Sequence, residues 1–453
     1  MVLGVPRLKR AALLLCLPVL IVPALSCGGS SSTKQPPSGL KFRALVSQDV
    51  NRTSPPLSAG LIIIDAEHDL RAKVQPITFG GATTPGLMVV SNDRQLTLAF
   101  SYFTNSIGVV NNTTEGATTS GSGITIPGPT ESMAISPDNA TGYAAVPTAP
   151  VLGGLPGGIV VMNLSGQGNI KTTIQAPGAH YIAESSDGSR LLAFSDTSDS
   201  VNIISTLSVV PGQSSPCVPA GQPPSANPPI CVTVPGFNRP VYGFFSSDGT
   251  SAWILNCGPE CGGPPGVPAS LQLLDLVNQV AGATLPIPGG ATVGFLNSQT
   301  LYVAGNPYAP GTNTCAGGNT TAATSCGRLT VVDLPSMSIT GTAVITDGYH
   351  NRMDLNNGQL FIGSRLCTNI VPANSGSEQR GCLSIVNTAA NNAVVIPPEN
   401  GDATGIQSIT GRTIMYVCQG GNFYIYDTTT DAIYTVTSIQ IFGSVVDVKL
   451  IDF

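Results

Sequence analysis

The chain has 453 residues, 52 of them Gly and 37 Pro, and only 10% are charged. A chain so rich in turn formers, and without long Leu/Ala/Glu/Lys segments at helical spacing, is not a helical bundle or coiled coil. A formal net charge of −6 and a pI near 5.0 leave no basic surface for phosphates, which argues against a nucleic-acid partner.

In chain order, the first segment is an address. Arg7, Lys9 and Arg10 make a positive start, Ala11 to Leu25 form an apolar stretch too short to span a bilayer comfortably, and small residues precede Cys27. Residues 1–26 therefore read as an export signal. The next stretch, GGSSSTKQPPSG, cannot bury a core, so residues 27–41 are predicted to be a flexible tether and the fold to occupy 42–453.

From Phe42 onward one unit returns every 40 to 60 residues or so, the period of a four-stranded propeller blade. Its first turn is visible at Ser91-Asn92-Asp93, Ser136-Pro137-Asp138, Ser185-Ser186-Asp187-Gly188, Ser246-Ser247-Asp248-Gly249, Asn297-Ser298, Asn356-Asn357-Gly358 and Thr410-Gly411. Its third strand is an apolar run closed by Asp or Asn, ending at Asp65, Asn111, Asn163, Asp275, Asp333, Asn387 and Asp427. Those closing residues read as turn caps before they read as chemistry. Runs such as RLLAFS, AWILN and TIMYV are continuous rather than alternating, so both sheet faces should be covered. Phe42 to Val50, Leu61 to Asp65 and Lys73 to Phe79 look like a blade lacking its innermost strand, and Val445 to Asp452 is an unaccompanied strand of that kind. The prediction is all-β: a propeller of antiparallel four-stranded blades, about eight or alternatively seven, closed by the C-terminal strand completing the N-terminal blade.

Two resemblances add to this. Ala24-Leu25-Ser26-Cys27 resembles a bacterial lipobox, which implies lipidation of Cys27, attachment to a membrane, and, with Gly28 following, the outer membrane. Ala24 stands where the pattern has Leu, and ordinary signal cleavage near Ser26 is the alternative. The turns and third strands, with MAISPDNATGYAAVP, TLYVAGNP and LTVVD as the nearest matches, resemble the YVTN-type β-propeller repeat.

In an exported chain, clustered cysteines predict local bridges: Cys217 with Cys231, Cys257 with Cys261, Cys315 with Cys326 and Cys367 with Cys382, leaving Cys418 unpaired. Neither these residues nor the histidines have zinc-ligand spacing, so no metal is expected. Three of the bridges would follow second strands and so crowd one face, on long loops where Tyr308, Arg365 and Arg380 are expected contacts for a partner. His180 and His350 are placed in links opening near the axis of that face. No catalytic motif, catalytic residue or cofactor fingerprint is present. The sequence points to a monomeric, non-catalytic cell-envelope scaffold binding an envelope protein or glycan. The alternative is a lactonase-like hydrolase whose axial pocket would be lined by Glu184, Arg352 and Asp354. A plugged channel is expected of the scaffold, a deep axial cavity of the enzyme.

Overall fold

The computed structural model describes residues 36–49, 60–80, 84–119, 121, 123–151, 154–195, 197–212, 216–221, 229–307, 327–367, 382–390, 392–399, 401–434, 439–441 and 443–452. They form eight sheets of antiparallel blade strands arranged around one axis, with the short Val218–Pro219 added parallel at the edge of one sheet and two single-turn 3-10 helices as the helical structure among them. The fold is an eight-bladed β-propeller.

Blade 1 joins the two ends of the chain: the innermost strand is Ser444–Asp452, followed outward by Phe42–Asp49, Gly60–Asp65 and an outer edge in two pieces, Leu70–Arg71 and Ile77–Thr78. Blades 2 to 8 follow in order, with innermost strands Met88–Val90, Ser132–Ile135, Tyr181–Glu184, Pro240–Phe245, Val293–Asn297, Tyr349–Asn356 and Ala403–Ser408. Neighbouring innermost strands touch all the way round, including those of blades 8 and 1. The C-terminal strand pairs with the N-terminal one from Phe42 opposite Asp452 to Asp49 opposite Ser444. The predicted latch and the eight-blade count are both realised.

The sequence dictates this locally. In blades 2 to 5, Ser91, Ser136, Ser185 and Ser246 each donate Oγ–H to the Asp two residues on at 2.5–2.7 Å. Each Oγ in turn accepts the amide N–H five residues on. Each Asp accepts the N–H two residues beyond itself. The residue after the Asp turns left-handed, at Arg94, Asn139, Gly188 and Gly249 with φ of 59–70°, where Gly and Asn fit with least strain. Blades 6 to 8 have lost this acidic turn. The third-strand closers cap as predicted: Asp65, Asp275 and Asn387 each accept two following backbone N–H groups.

Packing follows from a period of two on strands covered on both faces. In Phe42–Asp49, Ala44 and Val46 point into a cluster shared with blade 8, whereas Leu45 points into one shared with blade 2. The same holds round the ring, so the core is eight clusters, one between each pair of adjacent blades. Arg–carboxylate pairs lock both sides of the composite blade 1. Arg43, fully buried, meets Glu115 of blade 2 at 2.9 Å. Arg412 of blade 8 forks onto Asp69 at 2.6 and 2.7 Å, where Tyr416 Oη also donates.

Three bridges join the expected partners: Cys217–Cys231, Cys257–Cys261 and Cys367–Cys382. They point to an oxidising, exported location. Cys418 is a buried free thiol whose pKa desolvation raises. Cys27, Cys315 and Cys326 lie outside the described residues, as do Tyr308 and Arg380. Among the described residues no helix is long and apolar enough to cross a membrane.

Candidate functional site: an axial cavity with a polar mouth

All innermost strands run the same way, so their N-terminal ends gather on one face, together with the loops that follow second strands. The Cys257–Cys261 and Cys367–Cys382 bridges follow the second strands of blades 5 and 7 and belong to this face. Along the axis lies a cavity of about 760 Å³, with wall residues from the innermost strands of all eight blades or the links leading into them. Tyr102 and Glu131 belong to its lining and are 69% and about half exposed, so the cavity reaches the surface on this face. Its volume is within the usual range for a small-molecule site.

Five side chains from three blades meet at the mouth. Tyr181 and Tyr349 are the first residues of the innermost strands of blades 4 and 7, and their hydroxyls are 2.9 Å apart. Blades 5 and 6 intervene, so this bond runs across the opening as a bar. Burial raises the Tyr181 pKa, and Tyr349 raises it further, keeping the hydroxyl neutral. Glu131, just before the innermost strand of blade 3, receives Tyr181 Oη–H at 3.5 Å and has His180 Nε2 at 3.5 Å and Arg365 Nη2 at 3.7 Å from the same oxygen. His180 stacks on Tyr181 with centroids 4.5 Å apart, and the Arg365 guanidinium stands 5.8 Å from the centre of the Tyr349 ring.

The rim behind this cluster is tied together. Glu260, inside the Cys257–Cys261 loop, accepts the Asn306 backbone and side-chain N–H groups at 2.9 and 3.0 Å, and Asn306 Nδ2 also donates to Gly348 O at 2.8 Å. Desolvation pushes the Glu260 carboxyl up to about 7, against the Asn306 bonds that favour its charged form. This chain links blades 5, 6 and 7 and ends on the residue before Tyr349.

Further along the innermost strands the lining holds both apolar and polar groups. Met133, Phe244, Val293, Phe295 and Met353, on blades 3, 5, 6 and 7, supply apolar surface. The innermost strands of blades 7, 8 and 1 supply Asn351, Arg352, Thr404, Asp447 and Lys449. Asp447 is 1% exposed and accepts Met88 N–H and Val448 N–H, each at 2.9 Å, with Lys449 Nζ at 3.4 Å.

The structure brings two of the residues singled out in the sequence, His180 and Arg365, into the mouth cluster, and Arg352 onto the cavity wall. His350 requires correction. It lies within the innermost strand of blade 7, not in a surface link, and is fully buried with Nε2 2.8 Å from Thr346 O. Desolvation drops its pKa to about 4. The reason is the alternation of the strand, which sends Tyr349 to the channel and its neighbour inward. Glu184 and Asp354 lie toward the opposite ends of their strands and are not among the lining residues. Burial, with Asp138 and Asp187 nearby, raises Glu184 to about 7; Asp354, raised by burial, accepts Ser408 N–H at 2.6 Å.

Sequence reasoning missed Glu131, Tyr181 and Tyr349. A signal existed for the two tyrosines, since both occupy the first innermost-strand position of their units and both adjoin a histidine. Among the described residues no group of three or more His, Cys, Asp or Glu could hold a metal ion.

No protein-family model matches the chain, and no curated protein matches it. Solved structures do resemble it. Hydrazine synthase of Kuenenia stuttgartiensis superposes with a TM-score of 0.53 at 12% identity, covering 80% of this chain and 100% of that one. The dihydro-heme d1 dehydrogenase NirN, in complex with DHE, gives 0.51 at 11% identity over 90% of this chain and 75% of its own. The computationally designed Ika8 protein gives 0.51 at 7% identity, with 81% and 91% covered. A designed protein and two natural ones stand at nearly the same distance, so the likeness concerns the ring and not its chemistry.

Proposed function

We propose that the chain is an exported binding propeller of the YVTN-like kind, held at a membrane through a lipidated Cys27, which takes a small molecule into its axial cavity from the face bearing the disulfide-pinned loops. The cavity carries this reading: it is open, walled by all eight blades, and ringed at its mouth by converging polar groups. A scaffold that used only its outer rim would have no need of such a space. The export signal and the bridges support the location, and the lipobox-like residues support the anchor.

The test is to isolate the protein from envelope extracts, denature it and identify released small molecules by mass spectrometry. Val293→Trp, which fills the cavity, serves as the control. A compound recovered from the wild type and absent from the variant supports the reading; equal recovery from both overturns it.

The axial cavity is also what the hydrolase alternative expects, and one further observation favours that second reading. Glu131 and His180 adjoin at an open mouth with a guanidinium beside them, a set able to move a proton and stabilise developing negative charge. Hydrolysis of a lactone panel by the wild type, lost in Glu131→Gln, would support catalysis. No turnover above the Glu131→Gln background would leave binding as the function.

A further inference from the structure

We infer that the cavity selects an anionic ligand with an apolar or aromatic body, its carboxylate, sulfonate or phosphate group seated on the Arg352 guanidinium with Lys449 nearby. This rests on the reading of the cavity as a small-molecule site. The first ground is charge: three basic side chains, Arg352, Arg365 and Lys449, line the cavity against two acidic ones, Glu131 and Asp447, in a chain whose net charge is −6. Both carboxylates are already engaged. Glu131 is shared by Tyr181, His180 and Arg365, and Asp447 is held by two backbone N–H groups and Lys449.

Arg352 is different. Its Nε donates to Thr404 O at 3.0 Å and its Nη1 to Asn351 O at 2.9 Å, and among the described residues it has no carboxylate partner. Two carbonyls fix the guanidinium plane and occupy two of its five N–H groups, leaving both hydrogens of Nη2 and one of Nη1 for an anion. Beside it, the Asn351 side-chain Oδ1 is buried with no hydrogen-bond partner among the described residues. Turning that amide over would present its N–H₂ group to the same anion. Met133, Phe244 and Phe295 on blades 3, 5 and 6, with Met353 next to Arg352 on blade 7, add apolar lining for the rest of the ligand. A neutral ligand would leave the guanidinium's charge in the cavity without a counter-ion, which is the costlier arrangement.

Two fluorescent probes of similar aromatic body test this on the full exported chain: 1-anilinonaphthalene-8-sulfonate, an anion, and N-phenyl-1-naphthylamine, which is neutral. The wild type is expected to bind the sulfonate about tenfold or more tighter, and Arg352→Met to remove about that factor while leaving the neutral probe unchanged. Arg352→Lys should keep most of the preference. Raising salt to about 0.5 M should weaken the sulfonate alone in the wild type, a readout independent of any variant's folding. Equal affinity for both probes, or sulfonate binding indifferent to Arg352→Met, overturns the inference but leaves the cavity as a site. Binding that survives Val293→Trp, or no binding of either probe, overturns the cavity reading and this inference with it.

Discussion

Phe194, fully buried in the second strand of blade 4, lies where a Cβ on Gly243 of blade 5 would stand 2.9 Å from its ring, and it packs beside Tyr242 at 6.2 Å. Phe194→Ala should cost ~3 to 5 kcal/mol, because neighbouring blades cannot collapse into the space. Urea denaturation checks this, and an unchanged midpoint would contradict it. His350 makes a pH prediction. With its folded pKa at about 4 and an unfolded value near 6.5, the unfolded chain binds the proton first as pH falls, so its contribution is complete above 6.5 and lost on descending to 4. That loss is about 3 kcal/mol. Glu184 and Glu260, raised to about 7, act in the opposite sense: what they contribute is fully present below their unfolded values and fades as pH rises toward 7. His350→Gln should therefore destabilise at pH 7.5 and do so much less at pH 4, a narrowing seen by comparing the two unfolding curves at each pH.

At the scale of elements, ring closure depends on Ser444–Asp452. Removing 445–453 deletes the innermost strand of blade 1, leaving an unpaired edge along Phe42–Asp49 and nothing for blades 8 and 2 to pack on. Exposed edges recruit other chains, so the truncated protein should aggregate, as size-exclusion chromatography would show. A soluble truncation that unfolds cooperatively would mean the ring closes without it. The Arg412–Asp69 fork offers a finer test. Arg412→Met leaves Asp69, 3% exposed by its side chain, with Tyr416 as its remaining side-chain donor among the described residues. The expected loss is ~3 kcal/mol, measured by chemical denaturation.

For the whole molecule, the proposed lipid anchor makes location depend on residues outside the propeller. Replacing Cys27 with Ser should release a soluble exported protein if the cysteine carries the lipid, and fractionation of the envelope reads the result directly. Retention in the membrane fraction would mean that something else holds it. On that proposal, the residues from 28 to 41 would hold the ring within tens of ångströms of the bilayer surface.

The propeller was legible in the sequence because its unit is written in local interactions. A Ser–x–Asp turn closes its hydrogen bonds within six residues, a third strand caps itself, and continuous apolar runs announce two covered faces, so the period and the missing innermost strand could be read without knowing how blades meet. Local bridges were legible for the same reason. The mouth cluster was not, because Tyr181 and Tyr349 are 168 residues apart and face each other only once eight blades have closed a ring. Glu131 is unremarkable in sequence and becomes a shared acceptor only when blades 3, 4 and 7 are in place. His350 and Arg352 show the same division. Sequence alone puts His350 in a link between blades and Arg352 on or next to an innermost strand, but their burial depends on where the strand's alternation and its register shift after His350 aim each side chain. Local chemistry determined the blades, and closure of the ring decided which side chains share the axis.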